Sequence, residues 1–184
     1  MIKILSAFAV FHSDAGYYGQ RGGNGMAGNA PYTDEEVLRR FASMVYRLAL
    51  SQTKNKADAE DVFQEVFLRY VRTNLAFQSE EHIKAWLLHV TVNRCRKLWA
   101  SAWFRKTVPL EEIPSSALPE DAGVAEAVAA LPEKYRAVVH LFYFEDLPVR
   151  EIAQVLGRPE STVTSQLHRA RAMLREKLKG EDQP

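Results

Sequence analysis

The feature that most limits how this chain can fold is Gly157, between two helical patterns of different character. Upstream, Ile152, Ala153, Val155 and Leu156 lay an apolar stripe along one face. Pro148 suits the first turn of that helix, where a missing N–H costs nothing. Gly157 follows at once, and glycine best tolerates the left-handed backbone that ends a helix. Arg158 and Pro159 complete the break, and a second helix opens at Glu160 or Ser161. Val163, Leu167, Ala170 and Leu174 recur at spacings of three and four and mark its buried face. Its remaining faces carry Thr162, Thr164, Ser165, Gln166, His168, Arg169, Arg171 and Arg175. A short helix, a glycine turn and a polar, cationic second helix make up the helix-turn-helix that enters a DNA major groove. An ordinary helical hairpin with a solvated basic face has the same pattern.

The charges around this unit are segregated. The net charge of the 184 residues is only +1, yet residues 82–106 hold Lys84, Arg94, Arg96, Lys97, Arg105 and Lys106 with no acid. Residues 158–179 hold six cations against Glu160 and Glu176. Between the two blocks, residues 107–123 carry only Glu111, Glu112, Glu120 and Asp121. Two basic blocks about an acidic linker imply two contacts with a polyanion.

The rest of the chain is also helical in pattern, so an all-α fold is expected, with two small domains on a flexible linker. Residues 1–31 look detached from the rest, and residues 17–30 carry Gly19, Gly22, Gly23, Gly25 and Gly28 with almost no aliphatic side chains, as expected of a flexible extension. Met26 falls near the first helical signal, and whether the upstream segment is a start-site artefact or a real tail is open at this level. Lys3 and the apolar residues 4–11 resemble a signal peptide only faintly, since the apolar run is short and residues 13–16 make a poor cleavage site.

The first bundle is expected over residues 32–104. Thr33 and Glu36 have capping-box spacing, and Val37, Leu38, Phe41, Val45, Leu48 and Ala49 form the first stripe. A second helix over 58–72 buries Val62, Phe63, Val66, Phe67 and Tyr70 and presents Asp61, Gln64, Glu65 and Arg69. A loop over 73–81, anchored by Phe77, leads to a third helix over 80–102 with Ile83, Trp86, Leu87, Val90 and Leu98 as its core residues. Pro109, Pro114 and Pro119 punctuate an extended linker over 105–123. Helices resume over 124–130 and 134–144 and join the helix-turn-helix in a second domain ending near residue 180.

Chemistry of other kinds finds little support. Cys95 is the only cysteine, which excludes an internal disulfide and a cysteine-based cluster, and the five histidines lack ligand spacing, so neither metal nor cofactor is expected. His89 and Cys95, six residues apart on one helix, point in different directions and make no base–nucleophile pair. No run reaches the roughly 18 apolar residues that span a bilayer. A cytoplasmic protein without enzymatic activity is expected.

Several motifs in order resemble the extracytoplasmic-function sigma factors of the bacterial sigma-70 family. Asp58-Ala59-Glu60-Asp61-Val62-Phe63-Gln64-Glu65-Val66-Phe67-Leu68-Arg69 is similar to region 2.2. Residues 83–87, Ile-Lys-Ala-Trp-Leu, and 93–98, Asn-Arg-Cys-Arg-Lys-Leu, resemble the helix that melts and reads the −10 element. Leu131-Pro132-Glu133-Lys134-Tyr135-Arg136 and the helix-turn-helix resemble region 4, which reads the −35 element. The resemblance covers about residues 34–179. It implies that Asp58, Asp61, Gln64, Glu65 and Arg69 dock on core RNA polymerase, through its beta-prime subunit, with the beta subunit also a partner. It implies promoter contacts near −10 from Phe77, Gln78, Lys84, Asn93, Arg94, Arg96 and Lys97, with Phe77 or Gln78 lining the pocket for a flipped base. At −35 it implies contacts from Ser161, Thr162, Thr164, Ser165, His168, Arg169 and Arg171. A membrane-associated anti-sigma factor is a further implied partner. Thr164 and Gln166 stand where many members carry Lys and Arg, and Lys97 where aspartate is common. The alternative is a helix-turn-helix regulator whose first domain senses a ligand or dimerises, although such a domain needs neither the basic run at 93–106 nor the polar face at 58–69.

Overall fold

The structure, a computed structural model, describes residues 32–105 and 122–181. The expectations for the 1–31 extension and for the linker over 106–121 lie outside the described residues. Every regular element among those described is an α-helix.

Helix α1 (Asp34–Thr53) starts as its sequence dictates: Thr33 accepts from the Glu36 N–H while the Glu36 carboxylate accepts from the Thr33 N–H at 2.8 Å. Asp34, Glu35 and Glu36 in its first turn complement the helix dipole. Helix α2 (Lys56–Arg72) begins two residues before the expected start, because Asn55 caps it by accepting from the Asp58 N–H at 2.9 Å. Helix α3 (Glu80–Arg105) is opened by Ser79, whose hydroxyl accepts from the His82 N–H. These three helices pack mutually and enclose Val45, Leu48, Val62, Val66, Ile83 and Leu87, all fully buried. Leu38, expected in this core, is 42% exposed, whereas Met44, outside the expected stripe, is buried at 6%.

The C-terminal part comprises α4 (Ala122–Ala129), α5 (Glu133–Tyr143), α6 (Val149–Leu156) and α7 (Glu160–Glu181). Helix α4 thus begins inside the segment expected to be linker, and α3 extends to its start. Pro148 lies one place earlier than expected, as the N-cap of α6 with extended ψ of 154°. Gly157 ends that helix at φ 61°, and the Arg158 N–H returns to the Ala153 carbonyl at 2.9 Å. That pair is the Schellman termination a glycine at this position favours. Val128, Leu131, Tyr135, Val139 and Ala170 form a small core joining α4, α5 and α7.

The two parts are not merely tethered. Ala137, Val138, Leu141, Ile152, Ala153 and Val155 belong to one continuous apolar cluster with the residues of α1–α3. Helix α5 lies on α1, and α6 lies on α3. Helix α3 is therefore sandwiched, which explains why Leu88, Val92 and Cys95 are buried as well as the Ile83–Trp86–Leu87 face.

Candidate nucleic-acid interface

Three sets of side chains were expected to work together, and the fold places them on three helices. On α2, Asp61 and Gln64 are exposed, while Asp58, Glu65 and Arg69 are half-buried beside them. Glu65 and Arg69 pair at 2.7 Å, and that bond holds the Glu65 carboxyl below the usual carboxylate range. Spacings of three and four keep Asp58, Asp61, Gln64, Glu65 and Arg69 on one side of the helix. Leu68 and Val71, 48% and 58% exposed, add apolar surface near this side. Their signal in the sequence is two aliphatics off the buried stripe.

Along α3 and its preceding loop, the expected −10 set divides. Gln78 and Lys97 are exposed. Phe77 is 3% exposed, stacked on Tyr70 at 5.4 Å and edge-on to Trp86 at 5.7 Å and His82 at 5.2 Å. It therefore forms the wall behind the loop, and Gln78 is the member of the pair that faces outward. Trp86 is buried, as its place in the stripe implies.

Lys84 and Arg96 turn toward the C-terminal helices, and Asn93 is tied to His89 and Arg96 on α3 itself. Lys84 Nζ donates to the Glu145 carbonyl at 3.0 Å. The Arg96 guanidinium reaches the Leu156 carbonyl at 3.4 Å and Asn93 Oδ1 at 3.4 Å. His89 Nδ1 bonds the Val155 carbonyl at 2.9 Å, and its Nε2 faces Asn93 Nδ2 at 2.7 Å. A carbonyl accepts only and an amide nitrogen donates only, so the neutral Nδ1–H tautomer fits both. Burial also lowers the His89 pKa, favouring that neutral form. Cys95 is buried, and loss of solvation pushes its thiol up to about 12, far from a nucleophile's range. Arg94 is half-buried, with Nε lacking a hydrogen-bond partner among the described residues.

On α7, Val163, Leu167 and Ala170 are buried and fix the helix on the hairpin. Ser161, Thr164, Ser165, His168, Arg169 and Arg171 are exposed, and Thr162 is half-buried. The Thr164 and Ser165 hydroxyls donate back to the Glu160 and Ser161 carbonyls at 2.9 and 2.8 Å, leaving lone pairs outward. Arg169 opens on a cleft of about 250 Å³ together with Thr162, Ser165 and Gln166 and with Lys134 and Tyr135 from α5. The Tyr135 hydroxyl accepts from Arg169, which lowers the pKa of the phenol. Arg158 donates to Gln166 Oε1 at 3.1 Å. Arg171 leaves this cleft, donating to the Tyr143 hydroxyl at 2.8 Å with its guanidinium 5.3 Å from the Phe142 ring centroid. Lys134 and Tyr135 were missed by sequence reasoning, since they belong to a different helix and only the fold brings them to α7.

Two helical units, one ending in a helix-turn-helix with an outward polar face, have the architecture of a bipartite DNA-binding protein. Residues 37–105 match the Sigma-70 region 2 model and residues 122–174 the Sigma-70 region 4 model. RNA polymerase sigma factor SigV of Bacillus subtilis is 30% identical over 147 residues, covering 74% of this chain and 86% of its own. RNA polymerase sigma-E factor of Streptomyces coelicolor is 31% identical over 160 residues, covering 80% and 87%. Among solved structures, the sigma factor RpoE bound to the anti-sigma factor NepR from Bartonella quintana has the same fold, with TM-score 0.66, 19% identity and coverage of 79% of this chain and 96% of that one. CnrH in complex with the cytosolic domain of CnrY gives TM-score 0.63 and 22% identity over 96% and 99%. ECF RNA polymerase sigma factor SigL of Mycobacterium tuberculosis is 32% identical over 145 residues, covering 73% of this chain and 82% of its own, and the chain belongs to the extracytoplasmic-function sigma factors of the sigma-70 family. It is a promoter-recognising subunit that partners core RNA polymerase. No helix among the described residues is long and apolar enough to cross a membrane.

Proposed function

We propose that α2 docks the chain on core polymerase through Asp58, Asp61, Gln64, Glu65 and Arg69, while α3 and α7 divide the promoter between them. The N-terminal half of α7 reads the −35 duplex. Its anchored apolar side and exposed Ser161, Thr164, Ser165, His168 and Arg169 are the observation that carries this reading. Hydroxyls and a guanidinium meet base edges and phosphates, and Thr162 and Arg171 flank them. Helix α3 and the loop before it hold the opened −10 strand: Gln78 and Lys97 from the exposed side, and Lys84, Asn93, Arg94 and Arg96 along the helix, with Phe77 backing the base pocket. The protein carries no catalytic chemistry of its own and acts in the cytoplasm. The two solved relatives are complexes with NepR and with CnrY, which supports an anti-sigma partner here too.

Run-off transcription with purified core polymerase, followed by start-site mapping, tests the assignment. The Asp61→Ala/Gln64→Ala pair is expected to weaken core binding with the fold intact. Arg169→Ala is expected to lose about 1–3 kcal/mol of −35 discrimination if its contact is bidentate. Normal core affinity, or an unchanged promoter profile, overturns the respective role.

A further inference from the structure

Arg169 and Arg171 stand two residues apart on α7, and each meets a tyrosine of α5. Arg171 donates its Nε to the Tyr143 hydroxyl at 2.8 Å, with its guanidinium 5.8 Å from the centroid of that ring. Tyr143 is 50% exposed, so no core holds this partner in place. Tyr135 differs. It is 5% exposed, and its ring packs with Val128, Leu131, Val139 and Ala170, the last being the neighbour of Arg169 on α7. A ring enclosed in this way fixes where its hydroxyl stands, and that hydroxyl accepts from Arg169.

The cleft around this pair is positive and polar. Thr162, Ser165, Gln166 and Arg169 line its α7 wall at spacings of three and four, and Lys134 and Tyr135 from the start of α5 form the other. Lys134 is exposed, with its ammonium 4.9 Å from the centroid of the Tyr135 ring. Among the described residues that line the cleft none is acidic. Arg169 is thus tethered by a phenol oxygen rather than a carboxylate, and its charge stays available to DNA. A guanidinium that reads a base edge must present its planar fork in one direction, which a long side chain with many rotamers does not do unaided. The tether occupies one donor and leaves the rest of the fork.

We propose that Tyr135 is a positioning residue of the −35 reader: its hydroxyl, fixed by the buried ring, aims the Arg169 guanidinium at a base edge, so that specificity at that base pair is set in part by α5. This rests on the assignment of α7 to the −35 duplex. Without the tether the charge of Arg169 survives and its direction does not. Attraction to phosphates is then retained, while the choice among bases falls.

The test uses core polymerase loaded with the full chain, and measures binding to the mapped promoter and to a panel in which each −35 base pair is changed singly. Arg169→Ala is expected to erase discrimination at one base pair. Tyr135→Phe keeps the buried ring and every charge, and is expected to lower discrimination at that same base pair by about three- to tenfold, the worth of one hydrogen bond. Its urea midpoint and its affinity for an unrelated duplex should stay near wild type. In the Tyr135→Phe/Arg169→Ala chain the loss is expected to equal that of Arg169→Ala alone, because the two residues act through one contact. A normal profile for Tyr135→Phe, or losses that multiply in the double variant, overturns the proposal. Tyr143→Phe releases Arg171 instead and is expected to leave the base pair read by Arg169 unaffected. An equal loss there shows a general loosening of α5 against α7 and overturns the proposal as well. The underlying assignment is judged apart: a flat profile for Arg169→Ala removes that arginine as a reader, and Tyr135 then has nothing to aim.

Discussion

Replacing Arg136 with Met tests how far the fold depends on one buried cation. Arg136 is 2% exposed, and its guanidinium donates to the carbonyls of Ala129 at 2.9 Å, Leu131 at 3.1 Å and Gln52 at 3.1 Å. Burial lowers its pKa, yet arginine starts so high that it stays charged. Methionine keeps most of the apolar stem and removes every donor. The Gln52 carbonyl retains the Trp99 indole N–H at 3.2 Å, so it is not stranded. Ala129 and Leu131 lose the guanidinium at the end of α4, where no further turn supplies N–H groups. Two acceptors at about 1–3 kcal/mol each give about 2–6 kcal/mol gross. Releasing a charge held out of water returns part of this, leaving a net loss of about 1–4 kcal/mol. Urea denaturation followed by circular dichroism reads the change as a lower midpoint at constant slope. Arg136→Lys should recover less than half, because an ammonium cannot reproduce the planar fork. A loss under about 1 kcal/mol for the Met variant refutes the view that these carbonyls depend on Arg136.

Other perturbations probe separate parts. Gly157→Ala meets no atom within 4 Å of its new methyl, so only the left-handed φ of 61° opposes it, and thermal unfolding should register a loss of about 1–2 kcal/mol. His89 has a folded pKa below its unfolded value, so the unfolded chain binds the proton first. Its stabilising contribution is complete above about pH 6.5 and declines as pH falls below it, while His89→Gln should flatten that part of the stability profile in urea titrations. Cys95, with its thiol at about 12, should resist alkylation at pH 8 in the native protein and react on unfolding. Native-state reaction at the rate of a free thiol contradicts its burial.

Much of the fold was legible because the relevant signals are local. The apolar side of α6 and the Val163–Leu167–Ala170 line each need one helix to be read, and Thr33 with Glu36 announces its own cap. The stretch 137–143 has strand-like composition, yet it is helical, with Ala137, Val138, Val139 and Leu141 buried on successive faces while Tyr143 stays half exposed. Helix α3 was read on one face only. Its second face depends on α6, some sixty residues away, and no periodicity within α3 reports that neighbour. The Lys134–Tyr135 wall of the α7 cleft was hidden for the same reason. On α7 itself, Arg169 and Arg171 look equivalent in sequence, but only the fold reveals that Tyr143 and Phe142 draw Arg171 away.

Apart from the ion pair of Arg47 with Glu145, the polar contacts across the seam between the units are chemically one-sided. Their donors are the side chains of Lys84, His89, Arg96 and Arg136, whereas the acceptors they reach across the seam are main-chain carbonyls, at Glu145, Val155, Leu156 and Gln52. A substitution at an acceptor residue leaves its carbonyl in place, so Val155, Leu156 and Gln52 are constrained by burial, and Glu145 by its pair with Arg47, rather than by these hydrogen bonds. Divergence can loosen the hydrogen bonds only from the donor side, and Lys84 and Arg96 there are also assigned to the promoter. A lineage that changes its −10 preference through those residues therefore also alters how firmly the two units are held together. Specificity and the cohesion of the two units are inherited through the same few codons.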